Sequence, residues 1–376
     1  MFTANSYVGR YCEFMIKNKC KQTLDEYKYF PSKYIGSPDL SLILPVCLLR
    51  DYPKITSCKK EVSLDEFMVN SKTTAFIVIQ NDSILYENYF NGYQRDSVSR
   101  MYSITKSFLS AIIGIAIKKK YIQSVDDELI KYIPELNSSL SEIKISNLLK
   151  MDSGIGFKEG IYPWSNEAQI YFTPNCRKLA LNAKIRDEIA AFFHYNNYHP
   201  LLLSIILERV IPNSLANFFE EELWKPIGAE FSALLTTDTL NGLEKMESGL
   251  NARAIDIAKL GLLFLHKGNL NGKQIIDEQW IEQSTAIQGA HFSKQDFRYY
   301  EKHPWSKWFS TGHAYYKYLW WGYKVDSINC DYFAMGILGQ FIYVSPRKDT
   351  VIVRLGHEWG IKDWWPTIIK NFIDNL

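Results

Sequence analysis

The sequence predicts a mixed α/β (α+β) protein in which an antiparallel sheet, drawn from both ends of the chain, is flanked by helices and interrupted by a mostly helical domain. Three observations point there. Two β-rich runs, Ala75 to Gln80 and Ile84 to Tyr89, are separated by Asn81-Asp82-Ser83, which is a hairpin pattern. From Ile104 to about Asn241 the apolar residues recur at helical spacing, with Pro and Gly breaks between runs. Near the C-terminus, "YFAMGILGQFIYVSP" and "DTVIVRLGH" return to β character on either side of Pro346-Arg347-Lys348-Asp349.

Taken in order, residues 1–70 read as an irregular leader wrapping the core, because "YFPSKYIGSPDLSLILPVCLL" alternates short apolar pieces with turn residues. Residues 71–120 and 245–376 are assigned to the sheet domain and 121–244 to the helical domain. Helices are predicted over Phe108–Lys118, Leu179–Phe193 and Pro200–Val210, and Ser141 is the expected cap of "SEIKISNLL". "NARAIDIAKLGLLFLHKG" is an amphipathic helix stopped at Lys267-Gly268, and "KDWWPTIIKNFIDNL" is a short closing helix. Lys118, Lys119 and Lys120 complement a helix C-terminus and face water.

Composition excludes several functions. A chain of 376 residues is longer than one core usually grows, so two domains or a large insertion are expected. The 43 basic and 41 acidic residues nearly cancel, leaving no field to attract a nucleic acid. The longest uncharged apolar run, Phe108 to Ile117, is about half the ~20 residues a membrane span needs. No secretory pattern opens the chain, so a cytoplasmic location and no membrane partner are expected. Cysteines 12, 20, 47, 58, 176 and 330 form no Cys-x-x-Cys pair and are expected to be free, mostly buried thiols. His-Glu-x-x-His, Gly-x-Ser-x-Gly and Gly-rich phosphate loops are also missing, so no metal or cofactor is expected. Oligomeric state is left open.

The chemistry concentrates at "MYSITKSFLSAIIGIAIKKK", residues 101–120. Ser-x-x-Lys occurs four times, at 57/60, 103/106, 141/144 and 345/348, so the pair alone is a weak signal. Only Ser103 opens a buried helix. Residues three apart on a helix share a face, so Ser103 and Lys106 can meet. Burial and the positive end of the helix disfavour the ammonium form of Lys106, and a neutral lysine can take a proton from serine. The amide of Ser103 at the helix start can donate to an oxyanion. The plain alternative is an N-capping serine beside a solvated lysine.

"RMYSITKSFLSAIIGIAI" resembles the active-site helix of the serine β-lactamase and penicillin-binding-protein superfamily. That resemblance implies a β-lactamase-like fold and two further elements. One is Tyr-x-Asn, which occurs at 86/88, 89/91 and 195/197; only Tyr195-Asn196-Asn197 follows Ser103 and precedes an apolar helix, as in class C lactamases and related esterases. By resemblance Tyr195 shares a proton with Lys106 and serves the leaving group. An unperturbed phenol titrates near ~10, so acting as a base would require Lys106 as a cationic neighbour. Asn197 would hold Lys106 and a substrate carbonyl.

The other element is a strand facing the serine, Lys-Thr-Gly in lactamases. Here the matching segment is Ala334-Met335-Gly336, and the lysine that helps bind a β-lactam carboxylate is missing. Gly336-Ile337-Leu338-Gly339-Gln340 is instead similar to the Gly-x-x-Gly-Gln of the 6-aminohexanoate-dimer hydrolase and esterase branch. The resemblance makes the Ile337 amide the second oxyanion donor, with Gly336 and Gly339 permitting close backbone approach. It extends over about residues 28–370.

Around this core, Tyr162 and Trp164 fall on a loop that reaches over the substrate in the relatives, and His194 and Trp321 are candidate pocket residues. The segment 297–323, with Trp305, Trp308, Trp320 and Trp321, either lines an acyl pocket or packs as a connection. A Ser-His-Asp triad using His194 or His357 lacks its elbow motif. The resulting expectation is a serine hydrolase acting on a small amide or ester through an acyl-enzyme. Ranked next are a carboxypeptidase or β-lactamase, and, from another class, a non-catalytic acyl-ligand sensor or interaction protein.

Overall fold

In the computed structural model, residues 5–376 are described except 20, 58–59, 292, 294 and 303–305, and Ser306 and Lys307 in backbone only. Eleven strands carry the architecture: β1 (Ser32–Ile35), β2 (Thr73–Gln80), β3 (Ser83–Tyr89), β4 (Ser99–Arg100), β5 (Ala233–Thr236), β6 (Leu250–Ala252), β7 (Ala314–Lys317), β8 (Trp320–Lys324), β9 (Cys330–Gly336), β10 (Gln340–Ser345) and β11 (Thr350–Gly356). A seven-stranded antiparallel sheet has the order β7-β8-β9-β10-β11-β2-β3. The two ends of the chain meet where β11 pairs with β2, Ile352 opposite Val78. A second sheet, β1-β5-β6-β4, delivers the chain into the segment containing Ser103.

The helices that matter are α1 (Tyr7–Lys17), α2 (Ile104–Lys118), α3 (Asn166–Phe172), α4 (Tyr198–Val210), α5 (Ala254–Leu265) and α6 (Trp365–Asp374). Every residue of β11 is buried, as a strand covered on both faces requires. On one face α5 approaches so closely that a Cβ on Gly261 would sit 2.6 Å from Val351. On the other, α6 brings Phe372 to Phe76 and Trp365 beneath the Arg354 guanidinium. Thirteen consecutive residues of α2, Ile104 to Ala116, are buried, which explains an apolar run without amphipathic alternation. No single helix among the described residues is long and apolar enough to cross a membrane.

The structure corrects several expectations. The described residues up to 70 are not irregular: besides β1 they contain α1, an antiparallel pairing of 55–57 with 60–62, and a helix over Leu64–Asn70. Phe14 of α1 is fully buried against Tyr171 and Phe172 of α3. The helix expected over Leu179–Phe193 spans only Cys176–Leu181. Beyond it the backbone pairs with the loop at Gly154–Gly156 (Arg186 N–H to the Gly154 carbonyl, 2.8 Å), so tertiary hydrogen bonds replace helical ones. Ser141 closes a 3-10 turn through the Ser138 carbonyl, and the following helix begins at Ile145. Cys12 and Cys47 are exposed and Cys330 is partly so; only Cys176 of the described cysteines is buried, while Cys20 and Cys58 lie outside the described residues.

One contact fixes the depth of α2. Trp280 donates its indole N–H to the Ser110 carbonyl (3.1 Å) and lies where a Gly114 side chain would go, with its Cδ1 2.4 Å from an added Cβ. Alanine normally gains about 1 kcal/mol over glycine inside a helix. Gly114→Ala should nevertheless lower stability by about 1–3 kcal/mol, because overpacking a buried indole outweighs propensity. Urea unfolding checks this; a raised midpoint would contradict the packing described.

Candidate active site

Strand β4 leads through Met101 and Tyr102 into α2. Tyr102 adopts a left-handed backbone (φ 48°), unfavourable for a bulky residue, and its ring is buried with the hydroxyl donating to the Thr23 carbonyl (2.7 Å). The tight turn leaves Ser103 with helical dihedrals, and its side chain does not cap the helix as the plain reading supposes. Instead the Ser103 Oγ accepts from Lys106 Nζ at 2.9 Å. Lys106 is 1% exposed, donates a second bond to the Glu247 carbonyl (2.7 Å), and lies 4.8 Å from the centre of the Tyr195 ring. Burial pushes its pKa down to about 7, against the opposing pull of Glu247, Glu167 and Glu159.

Tyr195 sits in the loop before α4. Its backbone N–H donates to the Tyr300 hydroxyl (3.0 Å), its ring stacks on Trp321 (5.6 Å), and its phenol hydrogen-bonds Ser103. Burial raises the phenol pKa, and Glu159 and Glu167 raise it further, while the bond to Ser103 lowers it. This reverses the expectation that Lys106 would acidify Tyr195: the ammonium lies over the ring face, and the phenol keeps its proton. Nor does Asn197 hold Lys106. It begins α4, and its buried Oδ1 accepts no hydrogen bond from any described residue.

Close backbone approach explains Gly336. A Cβ there would meet the Met101 carbonyl oxygen at 2.6 Å and the Tyr102 Cβ at 3.2 Å, so only glycine lets the end of β9 lie against the Ser103 turn. The chain then reverses through Leu338 (φ 64°) and Gly339 (φ 81°). Arg354, fully buried, donates to the Leu338 (2.9 Å) and Gly339 (2.7 Å) carbonyls and fills the space a Gly339 side chain would need. Gly339 thus shapes the turn without lining the pocket. Neither the Ser103 nor the Ile337 N–H donates to an acceptor among the described residues, and both residues border the pocket.

That pocket has a volume of about 580 Å³. Ser103, Tyr195, Asn197, Gly336 and Ile337 line it together. Four other candidates do not. Tyr162 and Trp164 stack on each other in solvent, beside the lining residue Ile161. His194 is stacked on Tyr299, its pKa pushed down to about 4 by burial, and Trp321 is buried behind Tyr195. His357 instead packs against Tyr93. The aromatic segment resolves as packing: Phe297, Tyr300, Trp308, Phe309, Tyr316 and Trp321 form a buried cluster with Phe193, and Trp305 lies outside the described residues.

Sequence reasoning missed two lining carboxylates. Glu159 accepts from the Tyr300 hydroxyl (3.1 Å), and its pKa is raised to about 7 by burial and by Glu167. Glu167 accepts from the Gly160 N–H (2.6 Å). The fragment "KEGIYPWSNEAQI" offered only its charges as a signal. Among the described residues no three His, Cys, Asp or Glu side chains converge as metal ligands.

Known proteins resemble this chain across most of its length. The family model described as Beta-lactamase matches residues 64–360. A 6-aminohexanoate-dimer hydrolase of Paenarthrobacter ureafaciens is 23% identical over 355 residues, 89% of this chain and 87% of its own. A Bacillus anthracis structure provisionally described as a 6-aminohexanoate-dimer hydrolase superposes with a TM-score of 0.79 at 24% identity, covering 94% of this chain and 92% of that one. A penicillin binding protein from Bacillus halodurans gives 0.64 at 14% identity, covering 83% and 99%.

The lysine environment is directly measurable. In protein carrying 15N at lysine Nζ, one resonance should titrate with a midpoint near pH 7, well below the ~10.4 of an ordinary lysine. It should vanish in Lys106→Ala. Titration of every lysine above pH 9 would show that Lys106 is solvated.

Proposed function

The chain belongs to the Beta-lactamase family, and from that premise we propose that it is a serine hydrolase cleaving an amide or ester of a small molecule through an acyl-enzyme. One observation carries the reading: a buried lysine whose pKa falls to about 7 donates to the hydroxyl of Ser103 at 2.9 Å. A neutral Lys106 accepts the hydroxyl proton as Ser103 Oγ attacks the carbonyl carbon. The N–H groups of Ser103 and Ile337 receive the developing oxyanion. Tyr195, kept protonated by burial, gives its phenolic proton to the leaving group and recovers it from the Lys106 ammonium. Water then releases the acid.

The pocket chemistry supports an amidase or esterase ahead of a carboxypeptidase or β-lactamase. Glu159 and Glu167 line it, and no Lys or Arg is among the lining residues. A substrate carboxylate would meet like charge with no cationic partner, a cost that an uncharged or cationic substrate avoids. By its name, the 6-aminohexanoate-dimer hydrolase among the relatives acts on a small amide, which supports an amidase reaction but not the charge preference, since such a dimer carries a carboxylate as well as an amine. A sensor without catalysis would not require a depressed lysine pKa beside a serine.

A fluorescent fluorophosphonate should label wild type and leave Ser103→Ala unlabelled; equal labelling of both would falsify the nucleophile assignment. Turnover of p-nitrophenyl esters should fall at least ~10⁴-fold in Ser103→Ala, as for groups that act as a unit. Because the base works only when neutral, the labelling rate should rise about tenfold per pH unit below pH 7 and level off above it. Rapid nitrocefin turnover with inert esters would reverse the substrate ranking.

A further inference from the structure

Beside Ser103 lies a second, smaller cavity of about 30 Å³, which shares Ser103, Glu167, Asn197 and Ile337 with the main pocket and reaches further, to Glu247 and Ser248. A cavity of this size has room for a water, for which about 10–15 Å³ suffices. Two of its lining residues carry buried oxygens that accept no hydrogen bond from any described residue, Asn197 Oδ1 and Glu247 Oε2. Glu247 is 2% exposed. Its other carboxylate oxygen is pinned by Lys245 Nζ (3.1 Å) and by the Ser248 hydroxyl (3.4 Å). An unmatched carboxylate oxygen held rigid inside a protein costs free energy unless something donates to it.

Building on the acyl-enzyme reading, we propose that this cavity seats the water that hydrolyses the acyl-enzyme and that Glu247 holds and orients it. One O–H of the water donates to Glu247 Oε2, which turns an oxygen lone pair toward the acyl carbon. As the water oxygen bonds to that carbon, the other proton passes to the neutral amine of Lys106. The tetrahedral species then breaks its bond to Ser103 Oγ, and the Lys106 ammonium returns the proton to that oxygen. The products are the free acid and the Ser103 hydroxyl, with water the only reactant consumed. Glu247 serves both partners in this step: its backbone carbonyl fixes the base, at 2.7 Å, and its side chain fixes the water.

The test is Glu247→Gln in the full chain with a p-nitrophenyl ester, measured at pH 9, where Lys106 is neutral in both proteins. Acylation, read as the burst of p-nitrophenol and as fluorophosphonate labelling, should stay within about threefold of wild type. Steady-state turnover should fall at least tenfold, with the acyl-enzyme accumulating in intact-protein mass spectra. Added methanol does not depend on the held water, so the ratio of methyl ester to acid should rise at least fivefold over wild type. Equal loss of burst and turnover, or an unchanged product ratio, overturns the proposal. If Glu247→Gln does not fold, Ser248→Ala decides by the same ratio, expected to move at least twofold, since its hydroxyl helps hold the carboxylate. A wild type that gives neither label nor acyl-enzyme would instead refute the nucleophile assignment itself.

Discussion

Everything at this site depends on keeping one lysine out of water. An ammonium group buried without a paired carboxylate is so unfavourable that the group tends to give up its proton instead, and Lys106 does so near neutrality. The protein surrounds it with a serine hydroxyl, a backbone carbonyl and the face of a phenol ring, none of which carries a full negative charge. The carboxylates of Glu159, Glu167 and Glu247 act on it through space, and their pull is smaller than the effect of burial. The apolar length of α2 serves this purpose, since a helix buried almost from end to end carries its first turn into the interior with it.

Backbone geometry does the rest, and it leaves little freedom. Tyr102 holds a left-handed conformation because its ring and hydroxyl are locked, and the carbonyl of Met101 lies where any side chain on residue 336 would go. The two segments therefore specify each other. Arg354 extends the constraint, reaching from the middle of the sheet to the carbonyls of Leu338 and Gly339, so that the turn presenting Ile337 is tied to β11. Aromatic packing supports the opposite wall: Tyr195 rests on Trp321 and hangs by its amide from Tyr300, whose hydroxyl also holds Glu159. The aromatic segment thus acts on the pocket from behind, through the residues that line it.

Much of this was legible in order along the chain. The hairpin at Asn81-Asp82-Ser83, the β runs around Gly336 and the helix expected over Phe108–Lys118, which begins at Ile104, follow from local spacing, because strand and helix periods are properties of neighbouring residues. The pairing of Ser103 with Lys106 is local in the same sense. Where local reading went wrong, distant parts of the chain had intervened: residues 184–187 abandon helix for the loop at Gly154–Gly156, and residues 7–17 form a helix whose apolar side packs on Tyr29, Tyr171 and Phe172.

By itself, then, the sequence determined the fold class, the family resemblance and the segments that converge on the pocket, since these are written in periodicity and in short motifs. Only the tertiary structure decided which side chains face that pocket. It moved Tyr162, Trp164, His194 and Trp321 out of the lining and brought in Glu159 and Glu167, and it gave Lys106 to Ser103 and the Glu247 carbonyl instead of Asn197. It also decided the protonation of the site. A pKa depends on what surrounds a group in three dimensions, and the burial that lowers Lys106 and raises Tyr195 comes from residues far from either in the chain.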